Sequence, residues 1–242
     1  MICRWILSGC LLVALPVRAE DPSPTAFESV EEVQDWSAAY HAKPEPARVV
    51  LALQCLAGAG VLDRPSGHPG LVAFFGRVFR DHRDRLTGWL HELDGVKPAQ
   101  RMFLWQCAWM SRSEEGKAVL REARQVASPE NAMFLDQLLD REPPDPAVME
   151  LGSPLVLQAI WGTFHATGDA GLVRRIVLAV DGIASADPAR QVVARAARDG
   201  LLQHAARDEI VRRTCEEEIP KLGDDGRRVL LEVIEQARPS GK

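Results

Sequence analysis

From Ser29 to the end of the chain, apolar residues recur at helical spacing, and no stretch sustains the two-residue alternation of a half-buried strand. This one contrast sets the expected fold class: all-α. Ser29 and Glu32 have capping-box spacing ahead of Val30, Val33, Trp36 and Tyr40, which share one helical face. Lys43-Pro44-Glu45-Pro46 ends that helix and opens one through Val49, Val50, Leu53, Leu56 and Ala57, closed by Gly58 and Gly60. A Pro- and Gly-rich loop at 63–70 precedes the clearest amphipathic stripe, Leu71, Phe74, Phe75, Val78 and Phe79, and Leu86, Trp89, Leu90 and Leu93 follow on a short helix.

Pro98 then opens a helix in which Met102, Trp105, Ala108 and Trp109 share a face, and Ser111 to Gly116 marks a break. Val119, Ala123 and Val126 continue the pattern, and Ser128-Pro129 starts a helix carrying Met133, Phe134, Leu138 and Leu139. Ser153-Pro154 caps the next, Thr167-Gly168-Asp169 turns tightly into Leu172, Val173, Ile176, Val177 and Val180, and Asp187-Pro188 starts a long helix through Val192 and Val193. Ile210, Val211 and Ile219, then Val229, Leu230, Val233 and Ile234, supply the last two. The expectation is about twelve helices in antiparallel hairpins, packed as an irregular solenoid-like array or a compact multi-helix domain. No second copy of any unit recurs at a fixed period.

The first nineteen residues read differently. Arg4 supplies a positive charge, Trp5 to Leu15 is apolar except for Ser8, and Val17 and Ala19 are small residues at the positions a signal peptidase reads before Glu20. The expectation is a cleavable secretory signal at 1–19, because an apolar run of about eleven residues is too short to span a bilayer, which takes about 20. Leu7-Ser8-Gly9-Cys10 also matches a lipoprotein box. Acylation at Cys10 is the lesser alternative, since it would leave the apolar run Leu11 to Leu15 on the wrong side of the cut. The mature protein is expected to be soluble, without a transmembrane segment, and periplasmic or secreted. Segment 20–28 is expected to be flexible, 29–140 a first helical subdomain, 141–154 a linker with four prolines, and 155–238 a second subdomain.

Charge excludes some partners. The chain has 29 Lys and Arg against 34 Asp and Glu, and loss of Arg4 and Arg18 with the leader moves its net charge from −5 to −7. Without a basic cluster longer than Arg212-Arg213 or Arg227-Arg228, nucleic acid and anionic lipid are poor partners. Cys3 and Cys10 belong to the leader, leaving Cys55, Cys107 and Cys215. All three read as small buried hydrophobes, with a Cys55–Cys107 disulfide as the second reading.

Leu71-Val72-Ala73-Phe74-Phe75-Gly76-Arg77-Val78-Phe79 with Gly88-Trp89-Leu90, and Ala159-Ile160-Trp161-Gly162-Thr163-Phe164 with Ala166-Thr167-Gly168-Asp169, resemble segments of uncharacterised exported helical proteins of Gram-negative bacteria. The resemblance covers about a third of the chain and implies export and a helical array. It carries no active site, so no functional residue is transferred.

The chemical motifs are sparse. Six histidines, at 41, 68, 82, 91, 165 and 204, include no pair at the i, i+4 spacing of a helical metal site. His82-Arg83-Asp84 lacks every other kinase element, no Gly-x-Ser-x-Gly or phosphate-binding glycine pattern occurs, and Glu28-Ser29 is explained by capping without glycan cleavage. No catalytic residue, metal site or cofactor is assigned. Trp105 and Trp109, one turn apart, are the weak candidates for binding a sugar or peptide, with core packing as the plainer explanation. The expected function is an exported interaction protein of the cell envelope that binds a protein or peptide partner without catalysis. The alternative is an exported hydrolase of envelope glycan or peptide whose site is assembled from distant helices.

Overall fold

The computed structural model describes residues 24–64 and 68–237. Among them the protein is all-helical, with twelve α-helices and no strand. In chain order these are α1 (Val30–Ala39), α2 (Val49–Gly58), α3 (Pro69–Asp81), α4 (Arg83–Glu92), α5 (Pro98–Met110), α6 (Glu114–Val126), α7 (Pro129–Leu139), α8 (Pro154–Thr167), α9 (Ala170–Ala179), α10 (Pro188–Ala205), α11 (Glu209–Glu218) and α12 (Asp224–Ala237). The leader, its cleavage point and Cys10 lie outside the described residues.

The local punctuation determines where helices begin. Pro69, Pro98, Pro129, Pro154 and Pro188 each stand first in a helix, where a missing N–H is harmless and the fixed φ already suits the turn. Ser29 Oγ accepts from the Glu32 amide at 3.2 Å, while Glu32 reaches back to the amide of Glu28 rather than Ser29, at 2.9 Å. Asp169, Asp187 and Asp208 cap α9, α10 and α11 with their carboxylates. Ser153 precedes α8 but its hydroxyl accepts no capping bond, so proline alone sets that start. Gly60 and Gly168 end α2 and α8 with φ of +74° and +67°.

Three apolar clusters hold the helices. The first is aromatic: Phe27, Trp36, Tyr40, Phe74, Phe75, Phe79, Trp89 and Phe103 pack with Leu53, Leu56 and Leu86. Phe27, ahead of α1, lies in edge contact with Trp36 at 5.4 Å and beneath the Arg48 guanidinium at 3.8 Å. The second cluster, from α8 to α12, is aliphatic apart from Trp161 and Phe164, and is built on Ile160, Val173, Ile176, Val177, Leu201, Leu230 and Ile234. A smaller third cluster joins α5, α6 and α7 through Trp105, Ala108, Leu120 and Leu135.

The core faces differ from the sequence reading at the edges. Leu135 is the buried residue of α7, whereas Met133 is 60% exposed. Val126, at the last position of α6, is 87% exposed, and Val192 is 52% exposed beside buried Val193. Cys55, Cys107 and Cys215 are free thiols, so the Cys55–Cys107 bridge is not formed. Cys107 is enclosed in the first cluster, where burial raises its pKa far above a normal thiol's, and burial pushes Cys215 up to about 12.

Residues 140–153, between α7 and α8, are non-helical yet tied down. The Trp109 indole donates to the Arg141 carbonyl at 3.0 Å, Arg112 pairs with Asp145 at 2.5 Å, and Arg175 donates to the carbonyls of Pro146 and Met149. The main joint between the aromatic and aliphatic clusters is α3 against α8, where backbone meets backbone. A Cβ on Gly162 would lie 1.9 Å from the Gly70 carbonyl oxygen, and one on Gly70 would lie 3.1 Å from the Gln158 carbonyl oxygen. Glycine at both positions permits that approach.

Candidate functional site

An open cleft of about 570 Å³ lies beside this glycine crossing, between α1, α3, α8 and α10. Its apolar lining comes from Leu71, Phe74, Leu157 and Trp161, and its polar lining from Ser37, His68, Gln158, Asp199, Gln203, His165 and His204. Among the described residues no Lys or Arg lines it, and the one carboxylate in its lining, Asp199, is paired at 3.0 Å with Arg198.

Helix periodicity places the central side chains. Trp161 and His165 are one turn apart on α8, and Gly200 and His204 are one turn apart on α10. A Cβ at Gly200 would stand 2.7 Å from the Trp161 indole nitrogen, so glycine lets the indole lie against α10. His204 packs on that indole with ring centroids 4.2 Å apart, and His165 stacks on it at 6.0 Å with planes 21° apart. The two imidazoles meet edge to face at 4.7 Å.

Behind them stands His41, just beyond α1. Its amide donates to the His165 carbonyl at 3.0 Å, satisfying one of the free carbonyls at the end of α8. Its ring lies over Gly168, where a Cβ would approach the ring to 2.9 Å, and its Nε2 is 3.2 Å from Asp208 Oδ2. The other Asp208 oxygen accepts from the amides of Ile210 and Val211 at 2.8 and 3.2 Å, so one carboxylate both caps α11 and anchors His41. His41 Nδ1 and His165 Nδ1 are buried with no hydrogen-bond partner.

The electrostatics follow from burial. Burial, then the neighbouring His204 and His41, lowers the pKa of His165 to about 3. Burial also lowers His204 to about 4, outweighing the attraction of Asp208. Burial acts to raise the Asp208 carboxyl, but its hydrogen bonds from His41 and the α11 amides prevail, and its pKa lies below the usual value. Near neutral pH, His165 and His204 are therefore uncharged, and each has one donor and one acceptor nitrogen.

The Ser37 hydroxyl donates to the Gln34 carbonyl of its own helix at 2.9 Å, and Cys107 and Cys215 are buried in the clusters with raised pKa values. Among the described residues no group of three or more His, Cys, Asp or Glu is placed to hold a metal ion. What the cleft offers is an apolar floor with mostly uncharged hydrogen-bonding groups around it and one carboxylate, Asp199, paired with Arg198.

Trp105 and Trp109 do not form one binding face. Trp105 is buried in the third cluster against Phe134 at 6.4 Å and edges a groove between α4, α5 and α6. Trp109 borders a separate apolar groove with Met149 and Leu155. The His41, His165, His204 and Asp208 group was missed because its members come from three separate stretches of the chain, at 41, 165 and 204–208. The readable signal was the aromatic–His and Gly–His pairs at i, i+4, Trp161 with His165 and Gly200 with His204.

Comparison with protein-family models, with curated proteins and with solved structures found no match. The class defined by the fold and cleft is an all-helical protein with a tryptophan-floored, histidine-lined cleft at the joint of two cores.

Proposed function

We propose that this chain is an exported helical interaction protein of the cell envelope, without catalysis of its own, that holds a segment of a protein or peptide partner in the Trp161 cleft. The observation that carries this reading is the composition of the cleft. Trp161 and Phe74 suit an apolar side chain, while Gln158, Gln203 and the uncharged histidines match the alternating donors and acceptors of a peptide backbone. Export is drawn from the leader at 1–19 and gives such a protein its place.

The test is selection from a randomised peptide library on the mature chain. Gln158 and Gln203 are exposed, so replacing both with Ala leaves the fold intact. Enriched peptides are expected to bind the parent and to lose about tenfold in affinity to Gln158→Ala/Gln203→Ala, as for one or two hydrogen bonds. Equal binding to parent and variant would place the partner elsewhere. Cell fractionation with the N-terminal mass of the product tests export, with Glu20 expected as the first residue.

The second reading, a hydrolase of envelope glycan or peptide, draws on the His41–Asp208 pair, in which a carboxylate orients an imidazole. Loss of a cleavage activity in His41→Gln with an unchanged helical spectrum would favour it.

A further inference from the structure

Three imidazoles, His41, His165 and His204, are gathered behind and beside Trp161, and among the described residues a single carboxylate, Asp208, stands with them. That carboxylate is already held by His41 and by two amides of α11. One protonated imidazole can be balanced there; a second would be a buried charge without a partner, which proteins avoid by moving the group to water.

The other charged groups nearby do not change that count. Arg207, on the turn after α10, adds positive charge and is paired with Asp35 of α1 at 3.3 Å. Asp199, on α10, faces the cleft mouth paired with Arg198. The α3 side contributes His68, and the buried faces of α9 and α12 are apolar, through residues such as Leu172, Val173, Val229 and Leu230. The tool by which protonation would act is also visible: His204 covers the Trp161 indole at 4.2 Å, and that contact joins α10 to α8 across the cleft.

We infer that the His41, His165 and His204 cluster is an acid-operated latch on the Trp161 cleft: uptake of a second proton drives His204 off the indole, parts α10 from α8 and releases a bound peptide. The release step rests on the peptide-binding reading above; the opening step does not. The low pKa values of His165 and His204 agree with this, since both imidazoles bind protons more tightly once they reach water. The latch is closed at neutral pH and opens in acid.

The experiment follows the unliganded mature chain from pH 7 to about pH 4 by far-UV circular dichroism, tryptophan fluorescence and amide hydrogen exchange. The expected result is a fluorescence change and at least tenfold faster exchange across 159–167 and 196–205, with helicity and the protection of 71–81 retained. In His165→Gln/His204→Gln the same change is expected to move down by about one pH unit or more. If those segments stay as protected as 71–81 until the whole protein unfolds, or if the variant opens at the parent's pH, the latch is overturned. Should the double variant fail to fold, the exchange comparison within the parent decides alone. Peptides selected at neutral pH supply the final arm. Binding that is equal at pH 7 and 4.5 overturns the latch, whereas a latch that opens in a protein binding no peptide at pH 7 supports the latch and removes only the peptide reading.

Discussion

The two main clusters solve the same packing problem with different materials. The first fills its space with large rings in edge-to-face contact, such as Trp36 on Phe74 at 5.7 Å and Phe74 on Phe75 at 5.1 Å. The second, apart from Trp161, Phe164 and Cys215, is made of Val, Leu, Ile and Ala. Each also buries one polar anchor. Gln100 donates to the Ala57 carbonyl at 2.9 Å and to Asp63 at 2.7 Å, while Glu218 takes both Arg174 and Lys221 on one oxygen at 2.7 Å. The difference teaches where a cleft can form: bulky rings on α3 and a glycine-thinned crossing with α8 leave room beside Phe74 that Trp161 only partly fills.

The largest effects should come from breaking the joint itself. Gly162→Leu is expected to prevent folding of the two-cluster unit, and Gly162→Ala to destabilise by about 3 kcal/mol, since its methyl meets a backbone carbonyl that cannot swing aside. Urea denaturation reads this, and an Ala variant as stable as the parent would show that α3 and α8 do not cross there. Next, Phe79→Ala in the aromatic cluster is expected to lose about 3–5 kcal/mol, against about 0.5–1.5 kcal/mol for Ile176→Val in the aliphatic one.

The pH dependence is sharper still as a contrast. His165 and His204 have folded pKa values below the value near 6.5 of an unfolded chain, so below that pH the unfolded state binds protons first. Their contribution is fully present above pH 6.5 and is lost as pH falls toward 4 and 3. The expected slope between those values is about 1.4 kcal/mol per pH unit for each histidine, so either single His→Gln variant keeps about half of the parent's summed slope. Asp208→Ala removes the α11 cap and the His41 partner together, for about 1–2 kcal/mol by thermal denaturation. At the small end, Gly88→Ala places a methyl in open space within α4 and should stabilise by up to about 1 kcal/mol.

Much of the fold was legible because it is written locally. Xaa-Pro steps, acidic and serine caps and left-handed glycines mark helix ends within a few residues, and the 3.6-residue period does the rest. Legibility declined at the edges, where Val126, Met133 and Val192 continue an apolar period with no neighbouring helix to cover them. It failed at the site. His41, His165 and His204 meet only because α8 and α10 pack on the end of α1, and Asp208 serves them through a capping geometry that sequence reads as a helix start alone. A test for histidines at i, i+4 could not find imidazoles that come from two helices, α8 and α10, and the turn after α1.

The central claim is that the joint of the two clusters encloses uncharged imidazoles against Trp161. The most direct measurement is the ring-nitrogen chemical shifts of all histidines in the unliganded protein between pH 7 and 5. The account predicts that His165 and His204 stay neutral at pH 5.5, where an imidazole in water is mostly charged. Protonation of both near pH 6.5 would show that they are solvated, and the enclosed cluster would not exist.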